Sequence, residues 1–249
     1  MNKNLKTALI VGGNGGIGLS ATKKLLDDGF KVFATYNRNK DKLEQISNYP
    51  ELSKNLEIIK LNATSDSEVK KKVTEILKEE EKIDVIVLSV SEIYKNIRIF
   101  ELGWDEISIN FNNQVKSLYN LYNSMREQIK SKVKTKFIIL LSDVCISLPP
   151  KGFTHYVSSK YALMGLAKSL SVELAPYKTT VNMISPGMVE TDMLINMPKK
   201  LLEINANQNP LGRNGNTEDV ASVISFLASD SADYINGINI PINGGSKLT

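Results

Sequence analysis

The chain reads as one α/β domain, a doubly wound parallel sheet of about seven strands with helices on both faces, and three observations carry that reading. Short apolar runs recur at 7–11, 32–35, 56–61, 85–88, 137–141, 181–184 and 238–240, separated by stretches with helical patterning. Strands covered on both faces show such unbroken runs rather than an alternation of apolar and polar residues. A glycine-rich turn from Gly12 to Gly18 follows the first run. The length, 249 residues without a linker-like tract, suits a single domain over 1–249 with an ample core.

Taken in order, the helix after the first run is expected over 17–28 and closed by Gly29, because glycine accepts the left-handed backbone that ends helices. Ser65 and Glu68 form a capping-box pattern that opens the next helix. Later helices are expected over 110–129, 156–175 and 218–227, the last capped by Asn216 or Thr217. Asn110, Asn112 and Asn113 are mildly unfavourable inside a helix, so together they point either to function or to a local irregularity. Trp104 reads as a packing anchor at the start of that helix, and His155 as a loop or surface residue. The segment 191–210 scatters Met193, Leu194, Ile195, Met197, Leu201, Leu202 and Ile204 among polar residues. It is expected either as a surface helix packed on the core or as a lid.

Composition excludes several classes of function. The net charge is +4, but lysines and acids interleave, and Arg38, Arg98, Arg126 and Arg213 are the only arginines. Such a surface lacks the clustered basic stripe of a nucleic-acid binder. With Cys145 the only cysteine and His155 the only histidine, neither a zinc site nor a cysteine–histidine nucleophile pair can be assembled. A lone cysteine also excludes an internal disulfide and fits a reducing compartment. The apolar run near the N-terminus reaches glycines too early for a signal sequence, and no stretch approaches membrane-spanning length. A soluble, cytoplasmic protein without metal, membrane or nucleic-acid partner is expected.

Chemistry enters with Tyr156 and Lys160, four residues apart in YVSSK on an expected helix. That spacing puts both side chains on one face, one turn apart. A cation about 4 Å from a phenol, at an effective dielectric near 20, contributes roughly 4 kcal/mol. That is about three units on a phenol that otherwise titrates near pH 10, enough to make it an acid and base near neutrality. The glycine turn adds a place where backbone N–H groups and a helix N-terminus can approach a pyrophosphate.

The turn VGGNGGIG, then YVSSK, then VNMISPGMVETDM and the C-terminal PLGRNGNTEDVASVISFLASDSADYINGINIPINGG occur in the order of the short-chain dehydrogenase/reductases, and the chain resembles that family over essentially its whole length. The branch it is most similar to contains the 3-oxoacyl-carrier-protein reductases. The resemblance implies a Rossmann-type fold, oligomerisation as a homotetramer or homodimer, and a small carbonyl or alcohol substrate, free or carrier-bound. It further implies that Gly12, Gly16 and Gly18 hold cofactor phosphates and that Asn62 with Ala63 borders the adenine. Val189 and Thr191 would contact the nicotinamide end. Asn14 and Ile17 of the turn and Pro186 and Gly187 of the later run complete the expected cofactor-binding set, which also includes Tyr156 and Lys160. Tyr156 would be the acid/base and Lys160 its electrostatic partner. At the end of the second strand, where an acid would favour a ribose hydroxyl, stands Tyr36, and Arg38 can pair with a 2′-phosphate, so NADP(H) is the expected cofactor.

Three departures stand out. The family's Asn-Asn-Ala-Gly after the fourth strand is here Leu88-Ser89-Val90-Ser91. Val11 replaces a threonine before Gly12, which implies a missing side-chain hydrogen bond across the strand ends. Counted back from Tyr156 without a gap, the catalytic serine position falls on Asp143; one extra residue in the following loop moves it to Ser142, the chemically better and expected candidate. Asn110 is expected as the asparagine that holds a relay water behind the lysine, with Asn112 and Asn113 as competitors.

Overall fold

A computed structural model describes residues 5–90, 95–146, 148–194 and 197–247. All seven apolar runs become strands: β1 (Thr7–Val11), β2 (Lys31–Tyr36), β3 (Leu56–Lys60), β4 (Val85–Leu88), β5 (Thr135–Leu140), β6 (Thr179–Pro186) and β7 (Asn239–Ile242). They form one sheet in the order β3-β2-β1-β4-β5-β6-β7, every neighbouring pair parallel. Successive side chains of a strand face opposite sides. Leu9 and Val11 therefore pack with Val69 and Leu163 on one face, whereas Ala8 and Ile10 pack with Leu25 and Ile224 on the other. Because the strands are parallel, their C-terminal ends open on a single edge, and the order reverses between β1 and β4. A crevice at that reversal is where such sheets bind ligands.

The helices are α1 (Gly16–Asp27), short turns α2 (Asp41–Glu44) and α3 (Pro50–Ser53), then α4 (Asp66–Glu80) and α5 (Trp104–Phe111). There follow α6 (Ser117–Ser124), α7 (Arg126–Lys130), α8 (Thr154–Leu174), α9 (Lys199–Gln208) and α10 (Thr217–Ala228). Gly29 does follow α1 in the left-handed region, at φ 82°. Asn216 caps α10 in a full capping box with Asp219. At α4 only half of the expected box forms. Ser65 accepts from the Glu68 N–H at 3.4 Å, but the Glu68 carboxylate reaches past Ser65 and accepts from the Asn62 N–H at 3.1 Å.

The helix expected over 110–129 is not continuous. Between α5 and α6 the backbone makes a π turn, Asn112–Lys116, and Met125 interrupts it again before α7. Of the two readings of the asparagine cluster, the irregularity is present: Asn112 and Asn113 lie in the π turn, and the Asn110 amide donates back to the Glu106 carbonyl at 2.9 Å.

Two single-residue expectations need correction. Trp104 does open α5, yet it is 73 % exposed and anchors nothing in the core. His155 is buried on α8, and its Nδ1 has no hydrogen-bond partner. In the segment 191–210, α9 buries no residue and leaves Leu201 and Ile204 exposed, so it is a surface helix that does not pack into the core; Ile195 lies outside the described residues.

Burial lowers the His155 pKa from its usual range, Glu106 acts to raise it and Lys95 to lower it further. Above about pH 6.5 both the folded and unfolded chain hold a neutral imidazole. Below that the unfolded chain takes a proton that the folded chain resists, so stability falls as the pH drops. Urea unfolding at pH 7.5 and 5.5 should show a smaller loss on acidification for His155→Phe than for the wild type; equal losses would contradict this assignment.

Candidate functional site

The glycine turn after β1 is built by close approach. Gly12 has φ 90°, and a Cβ there would lie 2.5 Å from the Ser89 carbonyl oxygen. A Cβ on Gly18 would lie 2.2 Å from the Gly12 oxygen, and one on Gly16 would meet the Thr191 methyl at 2.6 Å. The hydrogen bond that Val11 cannot supply is replaced from the neighbouring strand, where Thr35 Oγ1 accepts from the Gly12 N–H at 3.3 Å. The Thr35 carbonyl also accepts from Gly13 at 2.8 Å. Asn14 Oδ1 accepts from the Leu43 N–H at 3.0 Å, tying the turn to α2. No side chain caps α1, and among the described residues the N–H groups of Gly16, Ile17 and Gly18 meet no acceptor. Unpaired donors at a helix start, with glycines that leave the backbone bare, fit a dinucleotide pyrophosphate.

Gly16 and Ile17 form one wall of a cleft of about 580 Å³ at the C-terminal edge of the sheet. Ser142, Asp143, Tyr156, Lys160, Val189 and Thr191 line the same space, as do Pro186 and Gly187 at the end of β6. Tyr36 ends β2 and Arg38 is exposed just beyond it, while Asn62 and Ala63 follow β3. These four belong to the same edge of the sheet but not to the cleft wall. The Asn62 carboxamide accepts from the Thr64 N–H at 3.1 Å and from its hydroxyl at 2.9 Å, and the Ala63 carbonyl accepts from Asn120 at 2.9 Å. Lys42 of α2 forms an ion pair with Asp192, linking the β2 side of the edge to the segment after β6.

Tyr156 and Lys160 lie on adjacent turns of α8, both buried, with Nζ 5.7 Å from the centre of the phenol ring. The lysine is fixed: Nζ donates to the Leu140 carbonyl at 2.7 Å and to Gln114 Oε1 at 2.9 Å. Burial pulls its pKa down to about 7, with Cys145 acting in the opposite direction. Hydrogen bonds from the ammonium to two oxygens favour the charged form against that burial cost. Gln114 was not among the residues expected at the site. Asn110, which was, makes no direct hydrogen bond to Lys160 among the described contacts; its amide nitrogen donates to the Glu106 carbonyl.

Ser142 and Asp143 both face the cleft. Ser142 is buried where β5 ends, and its hydroxyl accepts from the Val144 N–H at 3.4 Å, capping the one-turn helix Asp143–Cys145. The Asp143 carboxylate pairs with Lys247 Nζ at 2.9 Å, so its negative charge is balanced from the C-terminal segment. The unusual loop after β4 is also accommodated. Val90 packs against the core, and its carbonyl accepts from Gln114 Nε2 at 3.0 Å; Ser91 lies outside the described residues. Among the described residues no helix is long and apolar enough to cross a membrane.

Known proteins agree with this geometry. A family model described as enoyl-(acyl carrier protein) reductase matches residues 11–247. The chain is 32% identical to a 3-oxoacyl-[acyl-carrier-protein] reductase, FabG, of Staphylococcus aureus, over 99% of this chain and 100% of that protein. It is 31% identical to the protein of the same name from Buchnera aphidicola, over the whole of both chains. Among solved structures, a short-chain dehydrogenase/reductase from Brucella melitensis described as a glucose/ribitol dehydrogenase superposes with a TM-score of 0.88 at 27% identity, over 100% of both chains. The NADP-bound structure of ElxO gives the same TM-score at 23% identity, over 97% of this chain and 98% of that one, and attests the fold. Matched from the glycine turn to the C-terminal segment, the chain belongs to the short-chain dehydrogenase/reductase family.

Proposed function

We propose that the protein, read as one reductase domain over 1–249, is an NADP(H)-dependent oxidoreductase that reduces a carbonyl to a secondary alcohol, with a 3-oxoacyl thioester as its substrate class. The observation that carries this reading is the placement of Tyr156 and Lys160 in one cleft with the uncapped start of α1. NADPH, when bound, supplies the hydride. The N–H groups of Gly16, Ile17 and Gly18 hold its pyrophosphate, and Arg38 beyond Tyr36 pairs with the 2′-phosphate. Val189, Thr191, Pro186 and Gly187 form the wall for its nicotinamide end, and Asn62 with Ala63 borders the adenine. Tyr156 donates its proton to the oxygen as negative charge develops there, and Lys160 stabilises the tyrosinate left behind. Ser142 donates a hydrogen bond to the same oxygen. Asn110 sits one turn before Gln114 on the helix that backs the lysine, where it supports proton resupply.

The full-length similarity to 3-oxoacyl reductases favours an acyl thioester over a keto-sugar derivative, and the cleft has apolar wall to receive it in Val144, Phe153, Leu194 and Met197. A cofactor-binding protein without catalysis is the alternative, suggested by Asp143 and by the altered loop after β4. Both features have compensation in the fold: Lys247 balances Asp143, and Gln114 braces Val90. A homotetramer or homodimer fits the large apolar side chains left open, with Phe226, Tyr234 and Ile238 exposed on and after α10 and Trp104 and Ile109 exposed on α5. The lone buried Cys145 is compatible with a cytoplasmic setting.

Reduction of an acetoacetyl thioester should proceed with NADPH in preference to NADH, Tyr156→Phe should lose roughly 10²–10⁴-fold in turnover, and Arg38→Ala should narrow the cofactor preference. Wild-type protein that binds NADPH yet turns over no member of a broad carbonyl panel would establish the binding-protein alternative instead.

Ser142→Ala should lower turnover by about 10²–10³-fold, the cost of one donor to a developing oxyanion, whereas Asp143→Asn should leave it nearly unchanged. The opposite pattern, with the pH–rate profile of Asp143→Asn moved to lower pH, would show the acid occupying the serine's place. Light scattering of the purified protein should give a dimer or tetramer, and a monomer at micromolar concentration would overturn the proposed assembly.

A further inference from the structure

We propose that Gln114 is the positioning residue for Lys160, with its amide both holding the ammonium and tethering it to the loop after β4. The side chain is 1 % exposed and lies in the π turn Asn112–Lys116, which faces α8. Its orientation is determined by two partners of opposite kind. An ammonium has only donors, so it requires the amide oxygen, and the Val90 carbonyl has only acceptor capacity, so it requires the amide nitrogen. The two contacts, 2.9 Å to Lys160 Nζ and 3.0 Å to the Val90 oxygen, therefore form a directed bridge between the lysine and the segment that departs from the family pattern.

The bridge has a consequence for charge. With the Leu140 carbonyl and Gln114 each accepting one N–H, the ammonium keeps one donor for the cleft. A hydrogen bond to a charged group is worth roughly one to two units of lysine titration. Burial pushes the lysine toward its neutral form, so the acceptor on Gln114 acts on the charge that Tyr156 depends on. The surroundings supply little else. Tyr156 is on the same helix, and Cys145 and Asp143 are on the turn after β5, the latter paired with Lys247. Strand β6 brings no charged residue, the π turn carries only Lys116, and α5 carries Asp105 and Glu106, of which Glu106 acts on His155.

The inference rests on the reductase reading for its catalytic consequence, but its test does not need turnover. In protein labelled with ¹⁵N-lysine and free of cofactor, the Lys160 resonance is identified by its loss in Lys160→Met and titrated in Gln114→Leu and Gln114→Glu. Gln114→Leu, which removes both contacts, should lower the midpoint by about one unit or more, and Gln114→Glu, which keeps an acceptor and adds charge, should raise it above the wild type. In turnover, Gln114→Leu should lose roughly tenfold or more in kcat with KM nearly unchanged, and Gln114→Glu should restore part of it. An unaltered midpoint in a folded Gln114→Leu overturns the proposal. Should that variant fail to fold, an unaltered midpoint in Gln114→Glu overturns it equally. Wild-type protein inactive toward every carbonyl tested sinks the reductase reading alone, and the titration still decides the role of Gln114.

Discussion

The buried Lys160 ammonium is the constraint around which this site is organised. A charge removed from water must find oxygens, and here two come from distant places in the chain. One is the last residue of β5, one is a side chain from the π turn, and the third direction is left to the cleft. Each requirement reaches back into the fold. The Leu140 carbonyl is available because β5 ends there, and Gln114 lies in the π turn, where the helix is locally underwound and widened and faces α8. A lysine held this firmly places its charge beside Tyr156 without depending on the mobility of a long side chain.

The sheet explains why these groups meet the glycine turn. Parallel strands present all their C-terminal ends on one edge, so the ends of β1, β5 and β6 converge there without long excursions. Thr35, on β2, shows how tightly that edge is built: it closes two N–H groups of the turn from the neighbouring strand. The C-terminal segment returns to the same edge, where Lys247 meets Asp143 and Asn209, just after α9, donates to the Asn243 carbonyl at 2.9 Å.

Most of the fold was legible because fully buried parallel strands leave unbroken apolar runs, and all seven were found at nearly their observed bounds. Tyr156 and Lys160 were legible because four-residue spacing on a helix is a local property. What escaped depends on contacts distant in sequence or on irregular backbone. Nothing local marks Gln114 as the partner of Lys160, since a regular helix would have pointed it elsewhere, although the cluster of asparagines before it did signal the irregularity. The pairing of Asp143 with Lys247 and the substitution of Thr35 for a missing threonine both join residues that only the folded chain brings together. His155 belongs with these: an isolated polar residue beside a turn reads as exposed, and the packing of α5 on α8 buries it.

The claim on which the account turns is that a charged Lys160 makes Tyr156 an acid of use near neutral pH. Subtracting the ultraviolet pH titration of Tyr156→Phe from that of the wild type, both free of cofactor, isolates the ionisation of this one phenol. The account predicts a midpoint well below the ~10 of free tyrosine, returning toward that value in Lys160→Met. A midpoint at or above the free value in the wild type, unmoved by Lys160→Met, would contradict it.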